Sequence, residues 1–211
     1  MSAQVQAEEA VRALLVESAR WRLVGLLFRR PRAGWTTEVA RAATEVADPE
    51  LARAAELAAS ATEGAYLALL GPGSSISPRE ASHRPHEDPG KNLAQLTAFY
   101  DAFAYRGERE DPLDHVAVEA DFAGYLALKE AYARAGGADE NARLTAEART
   151  HLLETHLRPI AAGLAGRLEG IEGHLALAAS ALVRLSGATA ADLAGPPPQP
   201  SMDCGFDCGG V

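Results

Sequence analysis

The amino-acid sequence predicts an all-α fold, a single-domain helical bundle over residues 1–194 followed by a short tail. Ala and Leu dominate the chain, and sustained alternation of apolar and polar residues is scarce. Apolar residues instead recur at steps of three and four, which places them on one face of a helix. With 211 residues, 47% of them hydrophobic, the chain is long enough to bury a substantial core.

The first three predicted helices occupy residues 7–29, 36–47 and 49–70. Pro31 ends the first, and Asp48 followed by Pro49 is a typical start for the third. In the first helix one face is marked by Leu14, Ser18, Trp21, Gly25 and Phe28.

The periodic pattern stops between residues 71 and 90, where Gly, Pro and Ser cluster. Connections this long in a compact helical domain are usually functional or disordered. A helix over residues 93–105 follows. The next is predicted over 111–135, because Asp111 suits an N-cap, Pro112 the first helical position and Gly136 the end.

Two further helices are predicted over residues 141–157 and 160–185. Four glycines weaken the last one, so packing must hold it together. They also allow a neighbouring segment to approach closely. Residues 195–211 are rich in Pro and Gly and are expected to form an extended or mobile tail.

Charge and composition exclude several classes of protein. The net charge of −9 disfavours binding to nucleic acid and fits a soluble protein or one with a basic partner. No uninterrupted apolar stretch approaches about 18 residues, so we expect no stable membrane insertion. An acidic N-terminus without a signal peptide and only two cysteines lead us to expect a cytoplasmic location.

Few motifs point to catalysis, a metal or a cofactor, and we predict none of the three. The Gly71-Pro-Gly73 turn lacks the Lys of a phosphate-binding loop. His151 and His156 are five residues apart, which on an α-helix turns them to different faces. Cys204 and Cys208 can chelate a soft metal ion, but two thiolates make an incomplete site.

The helix start near His115 supports three interpretations. His115 and Glu119 lie one turn apart and could form an acid–base pair in a small hydrolase or transferase, although the sequence identifies no nucleophile for them. They could equally satisfy buried backbone groups in a structural subunit. Thirdly, Asp114 and Glu119 beside Phe122 could accept the guanidinium group of a partner's arginine.

Two segments about forty residues apart carry a resemblance to a known family. One runs from Tyr66 through Gly71-Pro-Gly73 to Ser77-Pro78 and Glu80, and the other contains Pro112, Asp114-His115, Glu119 and Phe122. Together with the late pair His156-Leu157, they resemble the TorD/DmsD/NarJ family of redox-enzyme maturation chaperones. The Pro-Leu-Asp-His-Val version is similar to chaperones of type II dimethyl-sulfoxide-reductase-like molybdoenzymes.

The resemblance implies a TorD-like bundle and a nonenzymatic, cytoplasmic helper. Such chaperones bind the twin-arginine signal peptide or the apo form of a molybdopterin oxidoreductase subunit, and hold it until molybdenum cofactor is inserted before export. Acidic acceptors beside an apolar groove suit a leader with an Arg-Arg end and an apolar stretch. The expected client-binding residues are Tyr66, Leu69, Leu70, Gly71, Ser77, Pro78, Glu80, Tyr100, Asp114, His115, Glu119 and Phe122.

Overall fold

The computed structural model describes residues 3–107, 110–189 and 192, and all of its regular elements there are helical. The predicted all-α fold is confirmed. The α-helices, numbered in chain order, are α1 (Ala3–Leu27), α2 (Trp35–Thr44), α3 (Pro49–Ala58), α4 (Glu63–Leu70), α5 (Pro89–Ala102), α6 (Val116–Ala135), α7 (Asp139–Leu152), α8 (Arg158–Leu168) and α9 (His174–Ser186).

Helix α6 is the centre of the bundle. It buries side chains along most of its length and on every face, which is the pattern of a helix surrounded by protein. Helix α1 packs along it and α7 covers another side, while α9 packs on α3 and α8. The segment that leads into α6 is therefore joined directly to a largely buried helix.

Helices α1 and α6 approach each other closely because each has a glycine at the contact. A Cβ at Gly25 would lie 3.0 Å from the carbonyl oxygen of Ala117, and one at Gly124 would lie 3.0 Å from that of Ser18. The Ser18 hydroxyl also donates a hydrogen bond to the Gly124 carbonyl. The helical face predicted for α1 is thus the face that packs on α6.

The prediction of a single helix over residues 49–70 was wrong, because the chain forms two helices there, α3 and α4. Asp48 caps α3, as expected, with its carboxylate accepting from the Leu51 amide. A turn follows Ala58, and the Thr62 hydroxyl accepts a hydrogen bond from the Ala65 amide to start α4.

The single helix predicted over residues 160–185 was also wrong. Its apolar stripe is buried almost throughout, but Gly170 (φ 76°) and Gly173 (φ 146°) turn the chain between α8 and α9. Such backbone angles are readily adopted only by glycine. Gly163 has the packing role expected of these glycines, since a Cβ there would collide with the His83 imidazole.

The start of α6 lies later than predicted. His115, rather than Asp111, is the N-cap, and its Nδ1 atom accepts a hydrogen bond from the Ala117 amide. Pro112 and Asp114 therefore precede the helix in a turn. Helix α5, in contrast, begins earlier than predicted, at Pro89, because Asp88 caps it.

A π-helical turn, Leu153–Leu157, joins α7 to α8. His151 is exposed and His156 is buried, as expected for different helix faces, although their ring centroids are only 6.2 Å apart. A π-helix pairs residues five apart rather than four, so this spacing brings the two side chains together.

The predicted tail over residues 195–211, with Cys204 and Cys208, lies outside the described residues. The domain boundary expected there stays a prediction. None of the described helices is long and apolar enough to span a membrane.

Candidate functional site

An open groove of about 480 Å³ lies where the end of α1, helix α4 and the segment before α6 meet. Its apolar lining comes from Tyr66, Leu67, Leu70, Pro72, Ile76 and Pro78. Its charged lining comes from Arg29, Arg30, Arg32, Arg79, Glu110 and Asp111. Six of the residues predicted to bind a client line it, namely Tyr66, Leu70, Gly71, Ser77, Pro78 and His115.

The two motif segments identified in the sequence are in direct contact. The Val116 amide donates to the Pro78 carbonyl at 2.9 Å, and the Glu80 amide donates to the Asp114 carbonyl at 2.8 Å. These bonds place Arg79 opposite His115 in a short antiparallel bridge. The 71–90 connection is thus pinned to the start of α6, and the groove has one continuous wall.

The three carboxylates expected to accept a client arginine point inward. Glu80, Asp114 and Glu119 each have 0% of their surface exposed, whereas an exposed docking surface was expected. The reason is the contact just described, since the loop covers the start of α6 and closes over these side chains.

Asp114 already holds a guanidinium group from its own chain. Both Nε and Nη2 of Arg79 lie 2.9 Å from one carboxylate oxygen of Asp114. The other oxygen, Oδ2, is buried and has no hydrogen-bond partner among the described residues. Asp114 therefore retains acceptor capacity beyond the arginine that it binds.

Glu80 is the centre of a buried polar network. It accepts from Arg84 Nη1 at 2.7 Å and from Asn92 Nδ2 at 2.8 Å, and His156 Nδ1 lies 3.1 Å from both of its oxygens. Burial by itself raises the pKa of Glu80, but the hydrogen bonds from His156 and Asn92 and the charge of Arg84 give a net lowering. Glu80 is accordingly held as a carboxylate.

Glu119 lies beside this network without joining it. Both of its carboxylate oxygens are buried and, within the described part of the chain, neither has a hydrogen-bond partner. Burial, and then the nearby charges of Glu80 and Asp114, raise the pKa of Glu119 well above its ordinary value.

His115 has a structural role at the helix start. Because Nδ1 accepts from the Ala117 amide, the proton resides on Nε2, which lies 3.4 Å from the Tyr66 hydroxyl. Burial lowers the pKa of His115, which favours this neutral form. The Tyr66 hydroxyl donates in turn to the Phe28 carbonyl, and burial raises its pKa.

These bonds bear on the acid–base pair considered for a hydrolase or transferase. His115 is occupied by backbone and Tyr66, and Glu119 makes no hydrogen bond to it within the described residues. The described geometry therefore lacks the linked proton path that such chemistry requires.

Comparison with known proteins identifies the family. The family profile described as "Nitrate reductase delta subunit" matches residues 33–165, which is more than half of the chain and includes both motif segments. The chain belongs to the nitrate reductase delta subunit family. No curated protein and no solved structure matches it.

Members of the nitrate reductase delta subunit family are chaperones for the maturation of molybdoenzymes such as nitrate reductase, and this chain is one of them. The resemblance to redox-enzyme maturation chaperones is therefore confirmed. The narrower resemblance to chaperones of type II dimethyl-sulfoxide-reductase-like enzymes stays a prediction.

Three of the predicted client-binding residues lie away from the groove of this delta-family chaperone. Leu69 lines a separate depression between the α3–α4 and α8–α9 turns. The Tyr100 hydroxyl donates to the Leu113 carbonyl. Phe122 is fully buried and packs edge-on against Phe99 and Tyr100. Their role in client binding remains a prediction, while their packing role is evident.

Sequence reasoning missed the arginines that surround the site. The sequence could have indicated Arg79 and Arg84 as neighbours of the motif carboxylates, since Arg79 precedes Glu80 and Arg84 follows it by four residues. It could not have indicated Arg29, Arg30 and Arg32, because the end of α1 is distant from the motif segments in sequence. His156 was noticed only as part of the family resemblance, and its contact with Glu80 spans 76 residues.

Proposed function

We propose that this chaperone binds the twin-arginine leader or the apo form, or both, of a molybdopterin oxidoreductase subunit. It holds that subunit for insertion of the molybdenum cofactor before export, in the cytoplasm. The proposal rests on the groove between α1, α4 and the segment before α6, because its apolar floor lies beside Arg79, whose guanidinium group is bound to the buried carboxylate of Asp114.

The apolar lining suits the hydrophobic part of a leader. Leu67 is 39% exposed at the groove, and Leu70, Ile76 and Pro78 extend the apolar surface into it. Burial of a few apolar side chains there gives affinity without a specific sequence, as in other helix or peptide grooves.

The pair of Arg79 and Asp114 explains how a buried carboxylate can recognise a client arginine. The Arg79 side chain is 43% exposed while Asp114 is fully buried, so a client guanidinium reaches Asp114 by displacing Arg79. Arginine is preferred over lysine for such an exchange, because its fork can use both carboxylate oxygens.

The groove is tested by titrating a fluorescent twin-arginine leader into the purified chaperone and measuring anisotropy. Leu67→Asp is expected to weaken binding by about tenfold or more, since it places a charge on the apolar floor. Leu144→Asp is the matched control, because Leu144 is 46% exposed on α7, outside the groove. Equal affinity of the two variants would contradict the proposed groove.

The exchange at Asp114 is tested with Arg79→Ala and Asp114→Asn. Arg79→Ala removes the side chain that occupies the Asp114 carboxylate, so it is expected to tighten binding of the twin-arginine leader. Asp114→Asn removes the negative charge and is expected to weaken binding. A leader with Lys-Lys in place of Arg-Arg should respond less to either change. Weaker or unchanged binding of the Arg79→Ala variant would contradict the proposed exchange at Asp114.

A further inference from the structure

Three donor side chains from distant segments converge beneath the groove wall. Glu80 comes from a short 3₁₀ turn, Glu119 from α6 and His156 from the π-helical turn before α8. One ligand atom from each lies within 4.8 Å of the others, and all three residues are buried. We refer to these three residues as the buried triad.

Glu119 gives an independent reason to look for a ligand. Glu80 is satisfied by Arg84, Asn92 and His156, but both oxygens of the fully buried Glu119 are without a hydrogen-bond partner among the described residues. Buried carboxylates in proteins are normally paired, hydrogen-bonded or bound to a metal. Glu119 is neither paired nor hydrogen-bonded among the described residues, and it lies beside two other side chains, Glu80 and His156, that are able to bind a metal.

We propose that the buried triad binds a divalent transition-metal ion of the zinc and manganese class. Two carboxylates and one imidazole are a donor set that these ions favour, whereas magnesium and calcium prefer oxygen alone. The double positive charge of the ion offsets the two carboxylates, so Glu119 is ionised and paired instead of uncompensated.

An ion bound by Glu80 competes with the contacts that Glu80 makes with His156 Nδ1 and with Arg84. The His156 imidazole is itself one of the proposed ligands, so Arg84 is the group left to find another partner. It donates to Glu80 at 2.7 Å, but it also bonds Glu87 through Nε at 2.9 Å and Nη2 at 2.7 Å. The guanidinium therefore keeps a carboxylate partner when it releases Glu80. Asn92 remains on the second oxygen of Glu80 and orients it, as outer-shell groups do around metal ligands.

The ion would link side chains of three elements, the 3₁₀ turn, α6 and the π-helical turn, directly through one centre. Glu80 follows Arg79 and Pro78 of the groove wall, so a metal on the buried triad fixes that wall to α6 and to the π-helical turn. π-helical turns inside α-helices are frequent at functional sites, which agrees with the position of His156. This inference concerns the chaperone itself and does not depend on which client it binds.

The test measures bound metal in the full chain carrying Cys204→Ser and Cys208→Ser, which removes the tail thiolates as competing zinc ligands. Because the triad is buried, the protein is refolded with Zn²⁺, Mn²⁺ or Mg²⁺, dialysed and examined by mass spectrometry for metal content. Zn²⁺ or Mn²⁺ is expected at one ion per chain and Mg²⁺ at none. Glu119→Gln should lower the affinity at least about tenfold.

Glu154→Gln is the matched control, because Glu154 belongs to the same π-helical turn but is not part of the triad. It is expected to retain the ion. His156→Gln gives a second loss of binding should Glu119→Gln fail to fold. The ion should also raise the Tm of the parent chain and of Glu154→Gln, but not of Glu119→Gln. Absence of a retained ion, or equal retention by Glu119→Gln and Glu154→Gln, would overturn the proposal.

Discussion

Helix α6 is held on two sides by contacts of opposite kinds. Towards α1 the contact is close and largely apolar, with Gly25 and Gly124 allowing the backbones to approach and Trp21 fully buried beside them. Towards the 71–90 connection and the π-helical turn the contact includes polar groups, with Glu119 lying by Glu80 and His156.

The difference shows how one helix serves both as a core element and as part of a functional site. The α1 side depends on shape and volume, which neither pH nor metal ions change. The side facing the connection depends on the charge state of buried groups, so conditions that alter protonation or metal binding act on it selectively. Three predictions test this division.

The largest effect is expected for Trp21→Ala on the α1 side. Removing a fully buried indole opposite Gly124 leaves a cavity and should lower the free energy of unfolding by about 3–5 kcal/mol. Denaturant unfolding followed by circular dichroism measures this. Leu15→Ala is the control on the same helix, since Leu15 is exposed and its loss should cost no more than about 0.5 kcal/mol. Comparable losses for both would show that the α1–α6 contact is not close-packed.

The next effect concerns the polar side and depends on pH. Burial and the carboxylates of Glu80 and Asp114 raise the pKa of Glu119 above its ordinary value of 4.5. The folded protein therefore retains a proton that the unfolded chain has lost. In the presence of EDTA, stability should fall as pH rises above that value, by about 1.4 kcal/mol per unit, until the folded-state pKa is passed.

Glu119→Gln has no titrating group at this position and does not lose stability in this way. As pH rises from 5 to 7, its free energy of unfolding is therefore expected to increase relative to that of the native chain. Urea unfolding at several pH values measures the difference. The deficit of Trp21→Ala should stay constant over the same range, because no titrating group is removed. A pH-independent difference for Glu119→Gln would show that Glu119 is ionised in the folded protein without metal.

The smallest effect is expected for Gly124→Ala. Its methyl group would meet the Ser18 carbonyl at 3.0 Å and the Trp21 Cβ at 3.2 Å, so α1 must shift at a cost of about 1–3 kcal/mol. Gly166→Ala is the matched control in α8, where no atom lies within 4 Å. It should be neutral or stabilising by up to about 1 kcal/mol. Thermal unfolding measures the stability of both variants. A loss of stability in Gly166→Ala but not in Gly124→Ala would contradict the close α1–α6 contact.

The contact between the two motif segments illustrates how far sequence reasoning reached the site. It associated Ser77-Pro78 and Glu80 with Asp114 and His115, and backbone hydrogen bonds join these segments. It did not predict that Asp114 binds Arg79 or that Glu80 and Glu119 are wholly buried. Helical periodicity shows which residues share a face, but it does not show which other segment covers that face.

The errors in helix boundaries have a related cause. Apolar spacing correctly marked the buried stripe through α8 and α9, yet it could not show that Gly170 and Gly173 adopt positive φ and turn the chain. The Asp88 cap and the Thr62 cap were local signals that could have been read. The π-helical turn was not such a signal, because its geometry depends on packing of the surrounding helices.

By itself the sequence determined the helical fold class, the Asp48 cap, the irregular 71–90 connection and the family. These follow from local preferences and from motif residues that are close in sequence. Tertiary structure decided that Glu80, Glu119 and His156 meet, that Arg79 binds Asp114 and that arginines just after α1 line the groove. The environment of a charged side chain depends on residues far along the chain, and only the folded protein brings those residues together.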